Sequence, residues 1–155
     1  MINNDILRRS RYALNISDAT MLEIFSLSGH AIEPSMLAAF LKKEDENGFV
    51  DCSNEVMTFF LDGLIIQKRG KAETRPGQAK KKDASLTNNS ILKKIRIALE
   101  FKEEDMLESL KLGGMEVSKS ELSALFRKEG HKHYKACGDQ FLRNFLSGLA
   151  IKLRG

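Results

Sequence analysis

The chain has 155 residues, of which 42% are hydrophobic and 30% charged. That balance suits a folded globular protein and excludes a disordered tail. No run nears the roughly 18 uninterrupted apolar residues of a membrane span. The opening MINNDILRRS has no apolar core or cleavage site, and the two cysteines, Cys52 and Cys137, lie far apart. Neither a secretion signal nor a disulfide framework is therefore expected, and a reducing cytoplasm is the economical location.

Charge is unevenly spread. Residues 1–70 carry seven Lys/Arg against ten Asp/Glu, residues 71–87 five against two, and residues 88–155 thirteen against nine. The formal net charge of +4 thus belongs to the middle and second half.

The first predicted helix opens near Asn4, a candidate N-cap, with Ile6, Leu7, Ala13 and Leu14 at helical spacing. A second helix is expected over about 17–28, ended by Gly29 in a left-handed position. A third begins near Pro34, where Leu37, Phe40 and Leu41 make an apolar face. A fourth spans about 53–69, with Val56, Phe60 and Leu64 on one stripe and Gly70 at its end.

After residue 87 the same elements return. Asn3–Gly70 aligns with Asn88–Gly155 without a gap, and more than a third of the aligned positions are identical. FLDGLIIQKRG, residues 60–70, reappears as FLSGLAIKLRG, residues 145–155. Asn89, the helix over about 102–113 ended by Gly114, the start near Ser118 and the helix over about 138–154 are the counterparts. Ser118 and Glu121 fit a capping box. Between the copies, KAETRPGQAKKKDASLT has a linker's composition.

The expected class is therefore all-α: a tandem duplication of a four-helix module, copy 1 over 1–70 and copy 2 over 88–155, joined by a basic linker over 71–87. A module this small buries a marginal core. Two copies would pack with pseudo-two-fold symmetry, like a homodimer fused into one chain. Gly63 and Gly148 sit inside apolar helices, where glycine costs about 1 kcal/mol relative to alanine. Their repetition predicts a close backbone approach. Arg11 with Glu23, and Arg96 with Glu108, are expected to pair across the first two helices.

Chemistry is sparse. His131, His133 and Cys137 in HKHYKAC are candidate soft-metal ligands, but the first copy keeps only Cys52 of that set. The alternative is a small buried thiol in both copies. There is no phosphate loop, dinucleotide glycine pattern or nucleophile elbow, so neither an enzyme nor a cofactor is expected. The loop before the fourth helix is acidic in copy 1 and basic in copy 2, where Arg127, Lys128, Lys132 and Lys135 surround Tyr134. Together with Lys80, Lys81 and Lys82 these are candidate nucleic-acid contacts. The plainer alternative is that Phe49 and Tyr134 anchor their loops while surface charge drifted.

Along LKKEDENGFVDCSNEVMTFFLDGLIIQKRG, the strings Lys43-Glu44-Asp45, Gly48-Phe49, Cys52, Phe60-Leu61 and Gly63-Leu64 resemble the YehS-like bacterial family, a domain of unknown function found twice per chain. Copy 2 departs from that pattern at Gly130 and His133. The resemblance implies a bacterial cytoplasmic protein of duplicated helical modules and supplies no catalytic residues. Three functions follow in order of expectation: a non-enzymatic module that binds an unidentified protein partner through a groove between the modules, a nucleic-acid-binding protein using the basic linker and second module, and a metal-binding sensor or enzyme.

Overall fold

A computed structural model describes residues 1–70 and 86–155. The expected linker therefore lies almost wholly outside the described residues, as do Lys80, Lys81 and Lys82. Eight helices and no strand are present among the described residues. In the first module these are α1 (Asn3–Leu14), α2 (Asp18–Leu27), α3 (Pro34–Phe40) and α4 (Asn54–Arg69); in the second, α5 (Asn88–Leu99), α6 (Glu103–Leu112), α7 (Lys119–Leu125) and α8 (Asp139–Arg154). None is long and apolar enough to cross a membrane.

The ends follow local chemistry. Ser17 and Ser53 cap α2 and α4, accepting from the N–H groups of Thr20 and Val56 at 3.2 Å each. Ser118 and Glu121 bond reciprocally at 3.1 Å. After α2 and α6 the chain turns through Gly29 (φ 91°) and Gly114 (φ 90°), a conformation open to glycine at little cost. His30 N–H then reaches back to Phe25 O at 3.0 Å, and Met115 N–H to Leu110 O at 2.9 Å.

Asn4 and Asn89 are not caps. Ile2 and Thr87 hold those positions, and the asparagines lie inside α1 and α5 with buried side chains. The reason is a stronger claim on each amide from elsewhere in the module, described below.

The two modules form one body through their long helices. α1 lies chiefly along α8, and α5 along α4, more than on the fourth helix of its own module. The contact pattern is reciprocal: exchanging the modules turns the α1–α8 seam into the α5–α4 seam, as at an isologous dimer interface. Within each module α2 packs on α4, and α6 on α8. Phe25, Phe60, Phe145, Leu61, Leu64, Leu146 and Leu149 are fully or almost fully buried in the resulting core. Each such side chain contributes about 1.5–3 kcal/mol.

The helix crossings are tight. A Cβ on Gly63 would lie 1.9 Å from the Ile24 carbonyl oxygen, and one on Gly148 1.6 Å from that of Ser109. These glycines let α4 meet α2, and α8 meet α6, backbone to backbone. In the second module Gly113 adds a further approach, its missing Cβ lying 2.0 Å from Asn144 O. The first module has Ser28 there, whose Oγ donates to Phe59 O at 2.7 Å.

Candidate functional site

The residues that repeat most faithfully build a frame. Asn4 Nδ2 donates to Phe40 O at 3.0 Å and Val50 O at 2.9 Å, while its Oδ1 accepts from Cys52 N at 2.9 Å. Asn89 repeats all three bonds with Leu125 O, Lys135 O and Cys137 N at 3.0, 2.8 and 2.8 Å. Asn3 and Asn88 donate to the carbonyls of Cys52 and Cys137 at 3.0 and 3.1 Å. Each Asn-Asn pair thus latches the first helix of its module to the loop that enters the fourth.

That latch explains the cysteines. Both are buried, and both thiols point at the next carbonyl, Ser53 O at 3.8 Å and Gly138 O at 3.6 Å. Burial, with Asp51 adding, pushes the Cys52 thiol up to about 12. Burial, with Asp139 adding, pushes that of Cys137 up to about 11. A protonated, desolvated thiol is a poor nucleophile and a poor metal ligand. His131 and His133 are exposed side by side, their rings 5.7 Å apart, whereas Cys137 is buried. No three His, Cys, Asp or Glu side chains converge as a metal set among the described residues. In the first module His30 instead stacks on Phe59 at 4.7 Å.

The expected Arg–Glu pairs are not formed. Arg11 binds Ile16 O through Nε at 3.2 Å and pairs with Asp18. Arg96 binds Phe101 O at 3.1 Å and lies 4.6 Å over the Phe126 ring. Each arginine closes the turn between the first two helices, where Asn15 and Glu100 adopt φ of 53° and 55°. Glu108 pairs with Lys152 of α8, whereas Glu23 is exposed and the residue aligned with Lys152 is the uncharged Gln67.

Arg127, Lys128, Lys132 and Lys135 are all exposed on the loop between α7 and α8, with Tyr134 half-buried among them. Lys135 N–H bonds Ala124 O at 3.1 Å, and Val50 N–H bonds Ala39 O at 3.3 Å, so both loops fold back on the third helix.

A broad concavity lies elsewhere, on the seam between modules. Where α1 runs along α8, an open groove of about 850 Å³ is lined by Arg8, Arg9 and Tyr12 from one helix and by Ser147, Ile151 and Arg154 from the other. Leu146 and Ala150 form its floor. Tyr12 is 61% exposed and Ile151 50%, the two most exposed large apolar side chains among the described residues. Arg154 stacks 4.3 Å over the Tyr12 ring and donates to Tyr12 O at 3.1 Å and Asn15 Oδ1 at 2.9 Å. None of the groove's arginines or its tyrosine stood out in the sequence. The signal was there in the comparison of copies, since Tyr12, Asn15 and Ser147 align with Ile97, Glu100 and Asp62.

No solved structure matches this chain. An uncharacterized protein, YehS, of Escherichia coli (strain K12) is 42% identical over 152 residues, covering 98% of this chain and 96% of that protein. A family model described as "Protein of unknown function (DUF1456)" matches twice, at residues 3–70 and 88–155. Two matched segments, each holding one set of four helices and one asparagine latch, place the chain in that family, and it belongs to it as a tandem pair.

Proposed function

We propose that this chain is a non-enzymatic, cytoplasmic interaction module that binds another protein through the groove between its two modules. The observation that carries this is the pairing of Tyr12 and Ile151, which leave apolar surface uncovered inside a concavity instead of scattered singly over the surface. Each module is tied together by its asparagine latch, and both thiols are buried and held protonated. Those features support a scaffold over a catalyst. The test is Tyr12→p-benzoylphenylalanine in bacterial cells, irradiated and analysed by mass spectrometry, with Leu27→p-benzoylphenylalanine as an exposed control. Discrete polypeptide adducts from position 12 and not from position 27 support the proposal. Adducts with nucleic acid alone reject it.

A second reading, nucleic-acid binding, draws on the four exposed cations of the α7–α8 loop. It predicts duplex binding that falls steeply with salt and is lost when Arg127, Lys128, Lys132 and Lys135 become alanine.

A further inference from the structure

The two seams have the same ancestry and different charge. In the α4–α5 seam, Lys94 pairs with Asp62, and Arg69 Nε lies 3.7 Å from Glu100. At the matching places in the α1–α8 seam the cations persist as Arg9 and Arg154, but the acids are replaced by Ser147 and Asn15. Among the described residues Arg154 meets only neutral acceptors, Tyr12 O and Asn15 Oδ1. Arg9 is exposed and has no carboxylate partner among the described residues. Arg8 differs, being paired with Asp5. The apolar positions diverge in parallel. Ile97 and Ile66 of the α4–α5 seam are half-buried, whereas their counterparts Tyr12 and Ile151 stand open.

We propose that the α1–α8 groove takes an acidic, amphipathic peptide segment of a partner protein, whose carboxylates meet Arg9 and Arg154 and whose apolar side chains cover Tyr12 and Ile151. This rests on the protein-interaction reading above and names the chemistry of the partner. A helix laid into a groove presents apolar anchors on one face and charges on its flanks, matching an apolar floor with a cation toward either side. A partner's carboxylates would take the place that Asp62 and Glu100 hold in the other seam, since carboxylate is what a guanidinium binds best, in a bidentate fork. A nucleic acid fits less well. It needs a track of cations, and one face of Tyr12, the ring that would stack on a base, is already covered by Arg154.

The test is fluorescence anisotropy of the full chain with three labelled probes. One is a helical peptide of about 16 residues with Leu at i, i+3, i+4 and i+7 and Glu at most other positions. The second has Lys for each Glu, and the third is duplex DNA. Alongside runs the double variant Ser147→Asp/Asn15→Glu, which gives this seam the acids its counterpart already accommodates, and whose thermal melt checks that the fold is kept.

The expected result is micromolar binding of the Glu peptide, none of the Lys peptide, and a loss of about tenfold or more in the double variant. Tyr12→Ala should lose affinity for the same probe. Equal binding of both peptides, or binding unchanged by the double variant, overturns the proposed occupant. So does concentration-dependent self-association abolished by the double variant, which would make a second copy the occupant. If neither peptide binds while position 12 still crosslinks a polypeptide, the acidic occupant is wrong and the interaction reading stands. If only DNA binds and position 12 captures no polypeptide, both fail.

Discussion

Replacing Asn4 by alanine removes three hydrogen bonds at once, to Phe40 O, Val50 O and Cys52 N, at 3.0, 2.9 and 2.9 Å, the first and last of them buried. Each is worth about 0.5–1.5 kcal/mol net, and the backbone partners are left unpaired, so the loss should reach about 3–4 kcal/mol. Against a total stability of about 5–15 kcal/mol, that is a large share. Asn89→Ala should cost a similar amount, because its three bonds have the same lengths within 0.1 Å. Asn4→Asp sharpens the test. One oxygen can still accept from Cys52 N–H, but the other faces two carbonyl oxygens. Only the protonated acid can donate to one of them, so the folded state raises the carboxyl's pKa. A raised folded pKa means that the acid's contribution is present below its unfolded value of about 4 and lost as pH rises. Asn4→Asp should therefore be weakest at neutral pH and recover, relative to the parent chain, as pH falls toward 4. Urea titrations followed by circular dichroism would measure both effects. A loss below about 1 kcal/mol for Asn4→Ala, or no pH dependence in the difference for Asn4→Asp, would refute the latch.

The glycine crossings make a steric prediction: Gly148→Ala should destabilise by at least about 3 kcal/mol, the upper end for overpacking, because its Cβ would fall 1.6 Å from Ser109 O. Gly63→Ala should follow closely, with 1.9 Å to Ile24 O, and a thermal shift of under a degree in either would contradict the geometry. The buried thiols should resist iodoacetamide at about pH 8, near the pKa of a free thiol, and label fully in urea. Because Cys52 and Cys137 are pushed up to about 12 and 11, their linkage contribution is complete below about pH 8.5 and lost as pH rises through those values. Urea midpoints should thus be level near neutrality and fall above about pH 8.5, and rapid labelling of the native chain would show the thiols to be accessible. Finally, residues 1–70 and 88–155 expressed as separate chains should co-purify as a complex, since α1 needs α8 and α5 needs α4. Two independently folded, non-associating fragments would contradict the shared core.

The helices were legible because each apolar period appears twice, and because Gly29, Gly114, Ser118 and Glu121 act through bonds only a few residues long. Asn4 and Asn89 were misread for the same reason. An asparagine near a helix start suggests a local cap, whereas their partners lie 36 to 48 residues away and are backbone groups. Backbone carbonyls likewise hid the role of Arg11 and Arg96. Repetition marked both arginines as constrained, but Ile16 O and Phe101 O carry no side-chain signature. The groove was least legible of all, since Tyr12 and Arg154 meet only once α1 of one module lies on α8 of the other.

Fusion of two copies is what allows the seams to differ. In a symmetric dimer, a substitution that frees a cation on one seam frees its equivalent on the other. In a tandem chain each seam can change alone. The positions that stayed identical, Asn4/Asn89, Cys52/Cys137 and Gly63/Gly148, hold backbone groups or admit them at distances no larger side chain would tolerate. The seam positions that changed, Asn15/Glu100 and Asp62/Ser147, lie at partly exposed ion pairs, where each pair is worth about 0–1 kcal/mol. Removing those acids from the α1–α8 seam therefore costs the fold little. It leaves Arg9 and Arg154 without a carboxylate among the described residues, beside two uncovered apolar side chains, a combination that stability does not require and that a partner's acidic helix would complete.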